Sequence, residues 1–250
     1  MAMDRDRDRV KLLSNRIERS ELKPGDHIYT WRFAYTYAHH GIYIGDNKVV
    51  HFTSRPEDCK ASAGCKACAV AKCQHQAPAT DGSAAAERGV RISCLDCFLH
   101  KRGHLYLYAY GVSTMFFVSK SDGTCTMAHS DPPDRVLHRA LYLLKHGYGK
   151  YDLISHNCED FSIYCKTELV IPPSYNFTGL SNQVQGRIAR ATVEMEGDPL
   201  IKFLGSELAR YRSDFGVRKD VARVPVEKLV KGASDTTGQT RQGVLKCLNF

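Results

Sequence analysis

The chain has 250 residues, 43% of them apolar and 10% aromatic, which suffices for one sizeable core with a small module beside it. Its formal charge of +8 comes from interspersed signs, and no Lys/Arg block is interleaved with aromatic residues, so nucleic acid is disfavoured as a partner. There is no run of about 18 apolar residues and no apolar stretch behind the charged N-terminus, so neither a membrane span nor secretion is expected; the reading is a cytoplasmic protein with peripheral membrane contact at most.

Residues 1–20 carry alternating Asp and Arg and read as a flexible, solvated arm. After the Pro24-Gly25 turn, His27-Ile28-Tyr29-Thr30-Trp31 alternates as a strand. Gly41 to Gly45 and Lys48 to Phe52 flank Asp46-Asn47, a pair with the turn chemistry of a tight hairpin. This places His40 and His51 on adjacent strands. Residues 54–103 change character, being rich in Cys, Ala, Gly and Ser, and read as an insertion with its own means of stabilisation. Strands are expected to resume at 105–110 and 115–118.

Asp131-Pro132-Pro133-Asp134 opens an amphipathic helix with Val136, Leu137, Ala140, Leu141 and Leu144 at helical spacing, ended by Gly147. Asn157 then caps a second helix that puts Cys158 in its first turn. Residues 171–250 form an extension with helical stretches at 181–196 and 199–215. In the latter, Leu200, Ile201, Leu204, Leu208 and Tyr211 line one face, expected to pack on the core, and the last thirty or so residues are expected to be flexible.

Ten cysteines without a secretory signal suggest thiols that are reduced, metal-bound or catalytic. A thiol becomes a strong nucleophile on ionisation, and a helix N-terminus stabilises the anion through unpaired N–H groups and the helix dipole. Cys158 meets that condition, and an imidazole would complete its activation. His40 is expected to accept the thiol proton while His51, on the neighbouring strand, orients it. His39 adjoins His40, and since alternation lets only one of the pair face the site, the register of the Gly41 to Gly45 block selects His40.

Four blocks in this order resemble the lecithin:retinol acyltransferase family, nearest to its plant, lead-sensitive type. They are Leu22-Lys23-Pro24-Gly25-Asp26-His27-Ile28, His40-Gly41-Ile42-Tyr43-Ile44-Gly45, Val49-Val50-His51-Phe52 and Asn157-Cys158-Glu159-Asp160-Phe161. The resemblance covers residues 22–169. It implies an α+β fold, an antiparallel sheet packed against helices in a permuted papain-like order, as a catalytic domain over 21–170 with the cysteine-rich insertion inside it. It also implies Cys158 as nucleophile, His40 as base and His51 as the second polar residue. The substrate would be a phospholipid or other acyl lipid whose acyl group forms a thioester and passes to an alcohol, an amine or water, and no catalytic cofactor is required.

Cys65-Lys66-Ala67-Cys68 and Cys94-Leu95-Asp96-Cys97 are two CxxC pairs with the spacing of a tetrahedral four-thiolate site, so a structural zinc is expected there, open to displacement by other thiophilic ions. Cys247 stands where a prenylation box would, although Asn249 matches it poorly. Two alternatives stand beside lipid acyl transfer. One is a cysteine amidase or peptidase; the other is a non-catalytic thiol-rich scaffold acting in heavy-metal tolerance or signalling.

Overall fold

The computed structural model describes residues 15–32, 37–54, 89–100, 103–149, 151–152, 156–171 and 198–234. Its centre is a five-stranded antiparallel sheet of β1 (His27–Arg32), β2 (Tyr37–Gly45), β3 (Lys48–Thr53), β4 (Gly89–Cys94) and β5 (Tyr106–Leu107), in the order β4-β3-β2-β1-β5. The expected hairpin joins β2 to β3, and Asp46 and Asn47 both adopt positive φ, 49° and 55°, as a two-residue turn compatible with strand twist demands.

Helices cover both faces. On one side α3 (Pro133–His146) and α4 (Cys158–Thr167) bury Val136, Ala140, Leu143, Phe161 and Tyr164 against Ile42, Val50 and Phe52. On the other, the single-turn α1 (Leu95–Phe98) sets Leu95 and Phe98 against Ile28, Val49 and Leu107. Each strand therefore reads apolar or aromatic on both sides, which is why simple alternation with polar residues is weak here.

Three expectations change. Residues 115–118 lie in a short helix, α2 (Thr114–Val118), because the Ser113 hydroxyl accepts from the Phe116 amide and caps the turn, overriding the β-propensity of the run. Residues 89–94, which fall within the expected insertion, belong to the sheet: β4 pairs along the whole of β3, from Lys48↔Cys94 to Thr53↔Gly89. The tail also contributes to the core. There β7 (Ala222–Arg223) pairs with β6 (Leu169–Val170), and α6 (Val226–Ser234) inserts Val226 beside Val136 and Ala140. Tyr164 Oη donates to the Val224 carbonyl at 2.7 Å. The expected helix at 181–196 and the residues beyond 234 lie outside the described residues.

An ion-pair network ties the tail to the helices. Buried Arg139 on α3 meets Asp131 at 2.8 Å and Glu168 at 3.4 Å, and donates to the Cys165 carbonyl at 3.0 Å. Arg223 of β7 binds both oxygens of the same Asp131, at 2.7 and 2.6 Å. Glu168, the C-cap of the helix that begins at Cys158, is thus fixed by charge.

Candidate active site

The N-terminus of α4 is built around Asn157. Its Oδ1 accepts from the amides of Glu159 (2.9 Å) and Asp160 (3.4 Å), while the Asp160 carboxylate accepts from the Asn157 amide at 3.0 Å. This capping box satisfies the second and third helical amides and leaves that of Cys158 for the thiol.

The sulfur of Cys158 meets the sheet where two strands part. Pairing between β2 and β3 runs from Gly45↔Lys48 to Ile42↔Val50 and goes no further in regular register. Alternate residues of β2 address β1 and β3, so the amide of His40 points toward β3 just past the end of that ladder. The Cys158 thiol takes its place and accepts from the His40 main-chain N–H and from its own.

Cys158 is 5% exposed, and burial pushes its thiol up to about 12; the His40 amide acts in the opposite direction, and the neighbouring Glu159 and Asp160 carboxylates add to the rise. At neutral pH the resting sulfur is therefore a thiol, and attack on a carbonyl requires a base to take its proton as the bond forms.

Two buried imidazole pairs flank β2, one on each face. His39 Nε2 lies 2.9 Å from His51 Nδ1, and Phe98 covers both rings with centroids 5.2 and 5.7 Å away. His40 Nδ1 lies 2.9 Å from His27 Nε2, and His27 Nδ1 lies 2.7 Å from Tyr110 Oη. Tyr108 stacks on His27 at 4.3 Å and Tyr29 on His40 at 5.6 Å. Burial lowers all three of His27, His39 and His40, the last to about 3, so these three rings are neutral and the His27–His40 contact is a directional hydrogen bond without charge.

The expected pairing of His40 with His51 is thus corrected: the partner of His51 is His39. The physical cause is a bulge. An unbroken ladder from Gly45↔Lys48 would set Ile42 opposite His51, and His40 would share its face. The register instead shifts between Tyr43 and Gly45, so that Ile42 faces Val50, and the face of His51 becomes that of His39 and Gly41. Gly41 is fitted to that face. A Cβ there would lie 2.6 Å from Val49 Cγ1 and 3.0 Å from the Phe98 ring that covers the pair.

The sequence reading weighed His39 and set it aside, and it assigned no site role to His27, Phe98 or Tyr110. The one-residue bulge concealed which histidine of β2 shares the face of His51. Phe98 and Tyr110 reach the site only through tertiary contacts and carry no local signal. The main-chain peptide between His39 and His40 meets the sulfur through its N–H.

Of the four expected zinc ligands, Cys65 and Cys68 lie outside the described residues. Cys94 ends β4, buried, and its sulfur accepts from the Cys97 amide at 3.4 Å as the cap of α1; Cys97 is half-buried. Among the described residues no group of three or more His, Cys, Asp or Glu side chains is placed to hold a metal ion. Nor is any described helix long and apolar enough to cross a membrane.

The chain is 40% identical over 252 aligned positions to Protein LEAD-SENSITIVE 1 of Arabidopsis thaliana, covering 89% of this chain and 92% of that protein. No solved structure matches significantly. The family model for lecithin retinol acyltransferase matches residues 20–171, which span the sheet, both histidine pairs and the cysteine helix, and the chain therefore belongs to the lecithin retinol acyltransferase family.

Proposed function

We propose that the protein transfers or hydrolyses acyl groups of lipid esters through a thioester on Cys158, with His39 as base and His51 as the residue that orients it. The observation that supports this reading is the Cys158 thiol at a capped helix N-terminus against the peptide joining His39 to His40, the first of which forms a 2.9 Å imidazole pair with His51.

His39 engages His51 through Nε2, so Nδ1 is its nitrogen available to the thiol. In the first step the sulfur attacks the ester carbonyl carbon and its proton passes to His39. The tetrahedral adduct collapses to the thioester as the C–O bond breaks, and the proton moves from His39 to the departing lysophospholipid oxygen. Water, an alcohol or an amine then attacks the thioester, gives its proton to His39, and expels the sulfur, which recovers the proton. The Cys158 amide, which the capping box leaves for the site, is the donor available to the oxyanion.

His40 acts through its main chain. Its ring is held by His27 and Tyr110, and this fixes the part of β2 whose amide positions the sulfur. That role differs from proton acceptance, which in this reading falls to His39.

The test is release of fatty acid from phosphatidylcholine by the purified chain. Wild type is expected to release it and Cys158→Ala to release none. Cleavage of amide substrates in preference to the ester would favour the amidase or peptidase reading, and equal turnover by Cys158→Ala would eliminate the thioester.

A further inference from the structure

Helix α5 (Pro199–Ser213) is built inside out. An α-helix in this position normally turns its apolar stripe to the core and its charges to water. Here the buried residues are Ser206, Glu207 and Arg210. The Arg210 guanidinium meets Asp122 at 2.6 Å and Glu207 at 3.3 Å, and lies 4.2 Å above the centre of the Phe117 ring on α2. A buried charge with two carboxylate partners and an aromatic face is costly to remove, and it holds the helix to the protein in this orientation.

The consequence is an outward apolar stripe. Leu200, Leu204 and Leu208 follow each other at intervals of four, with Ile201 beside them, and they are between 48% and 70% exposed; Phe203 is 55% exposed. Met115 on α2, which packs against α5, is 84% exposed. Five large apolar side chains on one 15-residue helix exceed the scattered exposure usual on protein surfaces.

The charges around the stripe are cationic. Arg212 and Lys219 are exposed and Lys202 is half-buried on or just after the helix, and Lys120 follows the neighbouring α2. The acidic group at its start, Asp198, is engaged as the cap, accepting from the amides of Leu200 (2.8 Å) and Ile201 (3.4 Å). A helix of this length, about 22 Å, is too short to span a bilayer but suits lying in its interface, with leucines in the acyl boundary and cations among headgroups.

We infer that α5 is a peripheral docking helix for an anionic phospholipid surface, with Leu200, Ile201, Phe203, Leu204 and Leu208 as the inserted residues and Lys202 and Arg212 as headgroup contacts. This names the membrane face of the lipid-directed enzyme proposed above, but it rests on the geometry of α5 and not on the chemistry of Cys158.

The test is co-sedimentation of the full chain with vesicles of phosphatidylcholine, with and without phosphatidylserine. Wild type is expected to sediment with the anionic vesicles. Leu204→Ser/Leu208→Ser, which alters only exposed side chains and is expected to keep the wild-type melting temperature, should bind at least about tenfold more weakly. Arg212→Ala should lose about fivefold on anionic vesicles and little on neutral ones. Unchanged turnover of a soluble short-chain ester by the double variant would separate docking from catalysis. Wild type remaining in the supernatant, or equal binding by the double variant, would overturn the inference. So would a dimer in solution that the double variant converts to a monomer without any vesicle binding, which would assign the stripe to a second copy of the chain.

Discussion

Exchanging the two adjacent histidines one at a time separates the side-chain role of His39 from the main-chain role of His40. With the thiol pushed up to about 12, only about one molecule in 10⁵ carries a thiolate at pH 7. His39→Ala removes the base that relieves this penalty, and general-base assistance is worth about 10²–10⁴ in rate. The expected loss is therefore at least about 10²-fold, with the thiolate fraction setting a ceiling near about 10⁵. His40→Phe keeps the amide that binds the sulfur but leaves His27 Nε2 without its 2.9 Å partner in a buried site, a cost of about 1–3 kcal/mol in stability. Its rate of acylation should fall by less than about tenfold. His51→Ala should lie between the two, since His39 remains but loses its anchor. The assay is single-turnover release of lysophospholipid from phosphatidylcholine, with a urea melt of each variant. If His40→Phe is the dead enzyme while His39→Ala acylates normally, the bulge-based assignment is wrong and His40 is the base.

Further expectations follow from the same geometry. Alkylation of Cys158 by iodoacetamide should accelerate about tenfold per pH unit between about pH 7 and pH 9 with no plateau, because the thiolate fraction grows throughout this range; a plateau near neutrality would show a preformed ion pair. The raised folded-state value also makes this thiol's contribution to stability fully present below its ordinary value of 9.0 and lost as pH rises toward about 12, so unfolding free energy should fall above about pH 9 less steeply in Cys158→Ala than in wild type. Gly41→Ala should displace Phe98 or Val49, costing about 1–3 kcal/mol in a thermal melt and slowing acylation; a variant of wild-type stability and rate would contradict the close packing. A four-thiolate site at Cys65, Cys68, Cys94 and Cys97 predicts one zinc per purified chain, lost in Cys65→Ser, and metal-free wild-type protein would retire that expectation.

The local chemistry of the chain made the main elements legible. Asp46-Asn47 announces the hairpin, the Pro132-Pro133 pair and Gly147 bracket α3, and Asn157 with Asp160 writes the capping box that opens the cysteine helix. What escaped was set by single residues acting at a distance. The bulge near Ile44 decides which of the two adjacent histidines shares the face of His51, and no pattern in the strand marks it. β4 lies inside a cysteine-rich composition that masks the Val90 and Ile92 spacing. The leucine stripe of α5 has the periodicity of a core-facing helix, and its orientation is reversed by Arg210 finding Asp122, 88 residues earlier in the chain. Tyr110 reaches His27 by the same kind of long-range contact.

Intact-mass analysis after brief incubation with phosphatidylcholine of defined chains tests the thioester most directly. The account predicts an increment of one fatty acyl group less a proton, mapped by peptide analysis to Cys158, labile to hydroxylamine and absent from Cys158→Ala. An unmodified mass under conditions where the same sample releases fatty acid, or an adduct mapped to a different cysteine, would contradict it.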